Sequence, residues 1–298
     1  MTLVVSAVTF SLLSSAGGDA LTALRDNPQI SPETVERLRT IYGFDRPLIS
    51  RYGSWLAGSL TGDMGESFYF KVPVTGLVLL RLKNTFLLGF TALAFAVAIA
   101  ALLAFLSVRF PSAYLDGFVK GVTVLTASLP RIVLSLFALA LIISTTGSAI
   151  DLGGDSIGSF LIAAWVMAVP LFSIFLAQMH SGITHAMKEQ YVLLARAKGL
   201  SEGVIILRHS SRAAMNPVLS IFGLSLGSIV SGSVIVETIL GWPGVGSLTV
   251  AAIRGRDVAL VMGIVIVSSV AIWLGNSIAE VLQLLNDKRM LSDELRDV

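Results

Sequence analysis

Five stretches of this chain carry no charged side chain: residues 84–108, 132–150, 156–179, 213–236 and 258–279. Each is close to the 17 to 25 residues, roughly, that cross a hydrocarbon layer as α-helix. Lipid offers no hydrogen bonds, so such runs pair their backbone groups internally. A bundle of membrane-spanning helices follows. Composition agrees, because 54% of the 298 residues are apolar and only 13% are charged, against about 25% charged in a typical soluble domain. A water-soluble enzyme is excluded. The 21 basic residues nearly balance 19 acidic ones, and no basic cluster is dense enough to neutralise a phosphate backbone, so no nucleic-acid partner is expected. There is no cysteine, and His180, His185 and His209 are irregularly spaced. No metal centre or cofactor is therefore expected on this chain.

The path of the chain reads as six spans. Residues 1–16 are apolar but short and lack a basic flank, and are read as the remaining part of a first helix with further residues upstream. Residues 17–83 are polar and form a small folded insertion. Within it Ser31 as cap, Pro32 in the first turn and the spacing of Val35, Leu38 and Ile41 predict a short helix over 32–41. Residues 84–285 form a five-helix core: 84–108, about 119–145 with Pro130 and Arg131 inside it, 156–180 with Pro170, 214–238 and 258–285. Residues 286–298 are a tail. The loop 181–213 carries Lys188, Arg196, Lys198, Arg208 and Arg212, whereas residues 146–157 carry no base. Basic loops lag on the cytoplasmic side. That puts 181–213 and both termini inside, and 17–83 and 239–257 outside, with Arg254 and Arg256 running against the trend.

The stretch Glu189 to Pro217 is too polar to span. The spacing of Tyr191, Leu194, Ala195 and Lys198 fits a helix, Gly199 breaks it, and Ser201 with Glu202 opens a second helix to Arg212. Two short helices meeting at a glycine elbow form a module, since an ordinary connection is about four to six residues. Small side chains at Ala195, Ala197 and Gly199 would admit another protein's surface, with Arg196, Lys198 and Arg208 reaching an acidic rim. An amphipathic helix lying on anionic lipid is the equal alternative.

The segment YVLLARAKGL at 191–200, with RHSSRAAMNPVL at 208–219, resembles the cytoplasmic coupling loop of ABC importer permeases of the dipeptide, oligopeptide and nickel family. Glu237 and Thr238, the run Gly241, Trp242, Pro243, Gly244, Val245, Gly246, and Arg256 with Asp257 are similar to that family's segments around its last two spans. Gly43 to Pro47 and Gly62 to Gly65 resemble its external insertion. The resemblance covers nearly the whole chain. It implies an all-α type I permease fold of six transmembrane helices in the bacterial inner membrane, paired with a second permease. It also implies two cytoplasmic ATPase subunits using ATP and Mg, and an extracytoplasmic substrate-binding protein. The coupling residues would be Glu189, Tyr191, Leu194, Ala195, Arg196, Ala197, Lys198, Gly199, Leu200 and Arg208, with Ala195 in the place of the family's small residue and Gly199 in that of its glycine. The chain departs from the family in its short first helix and in reading Asp287, Lys288, Arg289 where a proline usually stands.

No GxxxxGK[ST] phosphate loop occurs, so ATP hydrolysis is expected on a partner and the chain is not itself an enzyme. Pro130 and Pro170 each remove a helical hydrogen bond, which is tolerated where protein or a wet cavity covers the freed carbonyl; they either bend helices along a transport path or merely bend the bundle. Gly223, Gly227, Ser228, Ser231, Gly232 and Ser233 form a small-residue stripe that permits close helix contact, within the subunit or across to a second permease. Arg131 at mid-span costs at least about 2.5 to 3.5 kcal/mol on insertion scales, so it faces protein or water. A cargo carboxylate and an acid of the second permease are both candidate partners. Glu237, Trp242, Pro243, Gly244 and Gly246 lie where a loop would meet a docked binding protein, or form a plain connection. An ion-coupled carrier would need buried acids at mid-depth and paired inverted repeats, and neither is found. A membrane scaffold without transport leaves the coupling-loop resemblance without purpose.

Overall fold

The structure, a computed structural model, describes residues 2–15, 31–41, 45–146 and 157–286. Their regular structure is helical, apart from one isolated bridge between Glu66 and Pro73. In chain order the elements are α1 (Thr2–Ser15), α2 (Pro32–Ile41), α3 (Leu48–Leu60), α4 (Val74–Arg109), α5 (Ala113–Ser128), α6 (Arg131–Thr146), α7 (Ile157–Ala186), α8 (Gln190–Ala197), α9 (202–213), α10 (Met215–Ile239), α11 (Val245–Arg254) and α12 (Val258–Asn286). Among the described residues, α4, α7, α10 and α12 are each long and apolar enough to cross a membrane. The pair α5 and α6 passes as a broken fifth span, bent by 89°. At 14 residues α1 is apolar but short. The chain is thus a multi-pass, all-α membrane protein.

That bend corrects the continuous third span read from the sequence. Proline crowds the residue before it out of the helical region, and Leu129 sits at φ −84°, ψ 113°. The helix stops there and restarts at Arg131, with Pro130 O accepting from Val133 N at 3.0 Å. Pro170, by contrast, stays inside an unbroken α7. The charge-based limit at residue 84 also falls inside a helix, since α4 carries Arg81 and Lys83 in its first turns. A helix of 36 residues extends about 54 Å and projects its basic end beyond any hydrocarbon core.

The chain clusters into two compact units, residues 1–85 with 243–271 and residues 86–242 with 272–298. In the first, α2 has the limits its sequence predicts: Ser31 Oγ accepts from Thr34 N at 3.2 Å and Glu33 lies in the first turn. Helix α1 rests on α3 through Phe10 and Tyr52, with ring centroids 5.5 Å apart, and through a 2.8 Å hydrogen bond between Ser6 Oγ and Tyr52 Oη. The core of this unit joins Met64, Val74 and Val78 to Leu248, Leu260 and Ile264. At its centre Asp257, 1% exposed, accepts from Ser67 Oγ at 2.6 Å, Tyr69 N at 3.0 Å and Leu260 N at 3.1 Å. It caps α12 and ties residues 67–69 to that cap.

The second unit is built around α7, which packs on α5, α6 and α10. Leu88, Ala92, Ala96, Ala100 and Ala104 recur every fourth residue on α4 and are all buried. Such a ladder of small side chains presents a smooth face for close packing. A side chain at Gly89 would collide with Ile229 of α10.

Candidate functional site: the elbow and the helix break

Helix α8 ends in a Schellman motif. Leu200 N donates to Ala195 O at 3.2 Å and Gly199 N to Arg196 O at 2.9 Å, with Gly199 at φ +78°. A side chain there is strained, so glycine is the natural terminator. The chain resumes at Ser201, whose carbonyl accepts from Ile205 N at 3.0 Å. Residues 205–210 of α9 wind as a π-helix. Val192, Ala195 and Ile205 are buried together beneath the turn, with Met187 against them.

A clamp closes the elbow. Arg196 Nε donates to Glu202 Oε1 at 2.7 Å and Nη2 to Oε2 at 3.1 Å. Hydrogen bonding to Glu202 raises the Arg196 pKa above its ordinary value, and the same bonds lower that of Glu202. Both side chains are about two-fifths exposed, so the pair is geometrically firm but energetically modest. Tyr191, Leu193, Leu194, Leu200 and Leu207 are exposed. An apolar surface of this kind on a module too polar to span is a contact surface for protein or lipid.

Two expectations change here. Ala195 faces inward, 7% exposed, so it supports the turn's own packing and does not lie on an approach surface. Arg196 is engaged by Glu202 within the chain, whereas Glu189, Ala197, Lys198 and Arg208 are exposed. Glu202 was legible as a helix opener; its reach back across Gly199 depends on the left-handed turn. Beside the elbow lies an open groove of about 580 Å³ lined in part by Asp116, His180, Lys188 and Arg196. In it Asp116 pairs with Lys120 Nζ at 2.6 Å and lies 3.5 Å from His180 Nε2.

Further along, Arg131 opens α6, half-buried, with its guanidinium against the backbone of Gly232 in α10, where a Cβ would collide with Nη1. Gly223 lies on Ala279 of α12, and Gly227 faces Ile272 and Asn276. The small-residue stripe is therefore used inside the subunit, while Ser231 stays exposed and hydrogen-bonds its own helix at Ser228 O. Pro170 O accepts from Ser173 Oγ at 2.8 Å.

The residues expected at an external surface are mostly interior. Glu237 is fully buried in α10. Trp242, 8% exposed, packs on Phe160 with ring centroids 5.2 Å apart. Pro243 O accepts from Asn84 Nδ2 at 2.9 Å, and Val245 N donates to Thr85 Oγ1 at 2.8 Å. Gly244 and Gly246 are buried. Among the described residues, no group of three His, Asp or Glu side chains is arranged to hold a metal.

The sequence pattern of binding-protein-dependent transport system inner membrane components matches residues 96–292, a stretch that contains the helix break, the elbow and α10. The chain belongs to that family. The oligopeptide transport system permease protein AppB of Bacillus subtilis (strain 168) is 30% identical to this transport-system component, over 96% of this chain and 94% of the relative. The dipeptide transport system permease protein DppB of Lactococcus lactis subsp. cremoris (strain MG1363) is 29% identical, over 89% and 88%.

Proposed function

We propose that this chain is a pore-forming permease subunit of an ATP-driven importer that moves peptides or a related small solute across the bacterial inner membrane by alternating access. Likeness to the oligopeptide and dipeptide permease proteins along nearly their whole lengths supports the cargo class. The chain has no phosphate loop, so ATP and magnesium are used on two separate cytoplasmic ATPase subunits. A second permease completes the pore, and an extracytoplasmic binding protein delivers the cargo. In this reading α1, the α5–α6 pair and the four long helices make six spans, with both termini and residues 181–213 cytoplasmic.

The observation that carries the mechanism is the elbow at Gly199. A helix, a left-handed glycine, a second helix and a charged clamp form a compact projection with exposed leucines. Seated in an ATPase, it would transmit nucleotide-driven closure into the bundle and bias which side the cavity faces. Pro130, Arg131, Pro170, Gly227 and Ser231 belong to the path or its supports. The segment from Glu237 to Gly246 shapes the outer end, with Trp242, Pro243, Gly244 and Gly246 anchored within the chain.

The test is peptide-stimulated ATP hydrolysis by the complete complex. Gly199→Val, or deletion of 189–200, is expected to abolish stimulation while peptide binding to the external protein is unchanged. Stimulation that survives both changes would remove the elbow from energy transfer, and the lipid-surface alternative would then account for its exposed leucines.

A further inference from the structure

The feature left unexplained by a transmission role is Arg131. Its guanidinium offers five N–H donors, yet it has no hydrogen bond or ion pair among the described residues; only its backbone is engaged there, where Arg131 O accepts from Ser135 Oγ at 2.8 Å. It is also seated. Gly232 is buried and supplies a recess that any Cβ would fill. By helical rise the recess lies about 25 Å along α10 from Met215, inside the apolar part of that helix. Ser228 and Ser231 flank it one turn and one residue before Gly232, and their hydroxyl hydrogens go to Ser225 O and Ser228 O, at 2.9 Å and 3.4 Å. The break at Leu129 and Pro130 is what sets Arg131 here, since it redirects the chain by 89° immediately before it.

A charge held this deep in an apolar span costs several kcal/mol, of order, unless water or an anion meets it. Among the described residues no carboxylate is within ion-pair distance of it. We propose that Arg131, seated on Gly232, is a carboxylate-binding group in the transport path, and that it selects peptides with a free C-terminal carboxylate. The proposal rests on the importer reading above and adds the chemical feature of the cargo that the pore itself recognises. Guanidinium and carboxylate match as paired, charge-assisted hydrogen bonds. The recess keeps the fork fixed in orientation, so less freedom is lost when the anion arrives.

The experiment uses the complete complex in proteoliposomes, with uptake of trialanine compared with uptake of trialanine amide. Arg131→Gln is expected to lower trialanine uptake about tenfold or more, leave the amide unchanged, and leave peptide affinity for the binding protein unchanged. Gly232→Ala keeps the charge but displaces the guanidinium, and is expected to give the same selective loss in smaller measure. Arg131→Lys should retain part of the preference. Equal loss for both peptides would overturn the proposal in favour of an ion pair with the second permease or a packing role, as would unchanged uptake of both. Should the unmodified complex show no peptide-stimulated ATP hydrolysis, the importer reading itself fails, which is a separate outcome.

Discussion

At the scale of single residues, the chain places its few interior charges where local geometry gives them work. Asp257 is the clearest case, accepting three hydrogen bonds while 1% exposed. Arg256, at φ +49°, stands in the left-handed position of a second Schellman turn, with Asp257 N bonded to Ala252 O at 2.9 Å. Replacing Asp257 by alanine leaves the donors of Ser67, Tyr69 and Leu260 unpaired, each worth about 1–3 kcal/mol. A fall of about 6 °C or more in the thermal midpoint of the detergent-solubilised protein is expected; a midpoint within a degree of the parent would show that water satisfies those donors. An aspartate directly before an apolar run is a readable cap signal. Its partner Ser67 lies 190 positions away, a pairing that no local pattern encodes. Arg131 was legible as an anomaly for the opposite reason, because one charge in an apolar run stands out, although its glycine seat did not.

Among the elements, what could be read from sequence followed chain-local rules. The limits of α2 and the two arms of the elbow came from caps, proline and glycine, which act within a few residues. The third span was misread as continuous because proline can either kink or stop a helix, and packing on both sides decides which. Pre-proline restriction at Leu129 was the available signal. Packing of α10 on α12 was open between two surfaces, and the structure puts Gly223 against Ala279 and Gly275 against Leu226. Gly223→Ala is therefore expected to destabilise the protein by about 1–3 kcal/mol, with most of the loss recovered in the double variant carrying Ala279→Gly. Equal stability of Gly223→Ala and the parent, measured by thermal unfolding in detergent, would mean that the two helices are not in contact in the folded protein.

For the whole molecule, the absence of cysteine gives a direct test of the proposed orientation. Lys198 on the elbow and Thr238 near the end of α10 are both exposed. With Thr238→Cys, a membrane-impermeant maleimide is expected to label right-side-out vesicles; with Lys198→Cys, inverted vesicles alone. The reverse pattern would invert the topology and place the elbow out of reach of any cytoplasmic ATPase. The expected orientation rests on charge bias among short loops, while the unit that joins 243–271 to the first 85 residues was hidden, since it brings together distant parts of the chain. One further consequence lies in α9 and α10, which follow each other with Ala214 as the single turn residue between them. From Glu202 to Gly232 their backbone has a helical contour of about 45 Å, with the clamped elbow at one end and the seat of Arg131 at the other. If the elbow is seated in an ATPase as proposed, a tug on it is either taken up as slack in the π-wound turns at 205–210 or passed on to the recess under Arg131, so that a single piece of backbone would tie the stroke of the motor to the grip on the load.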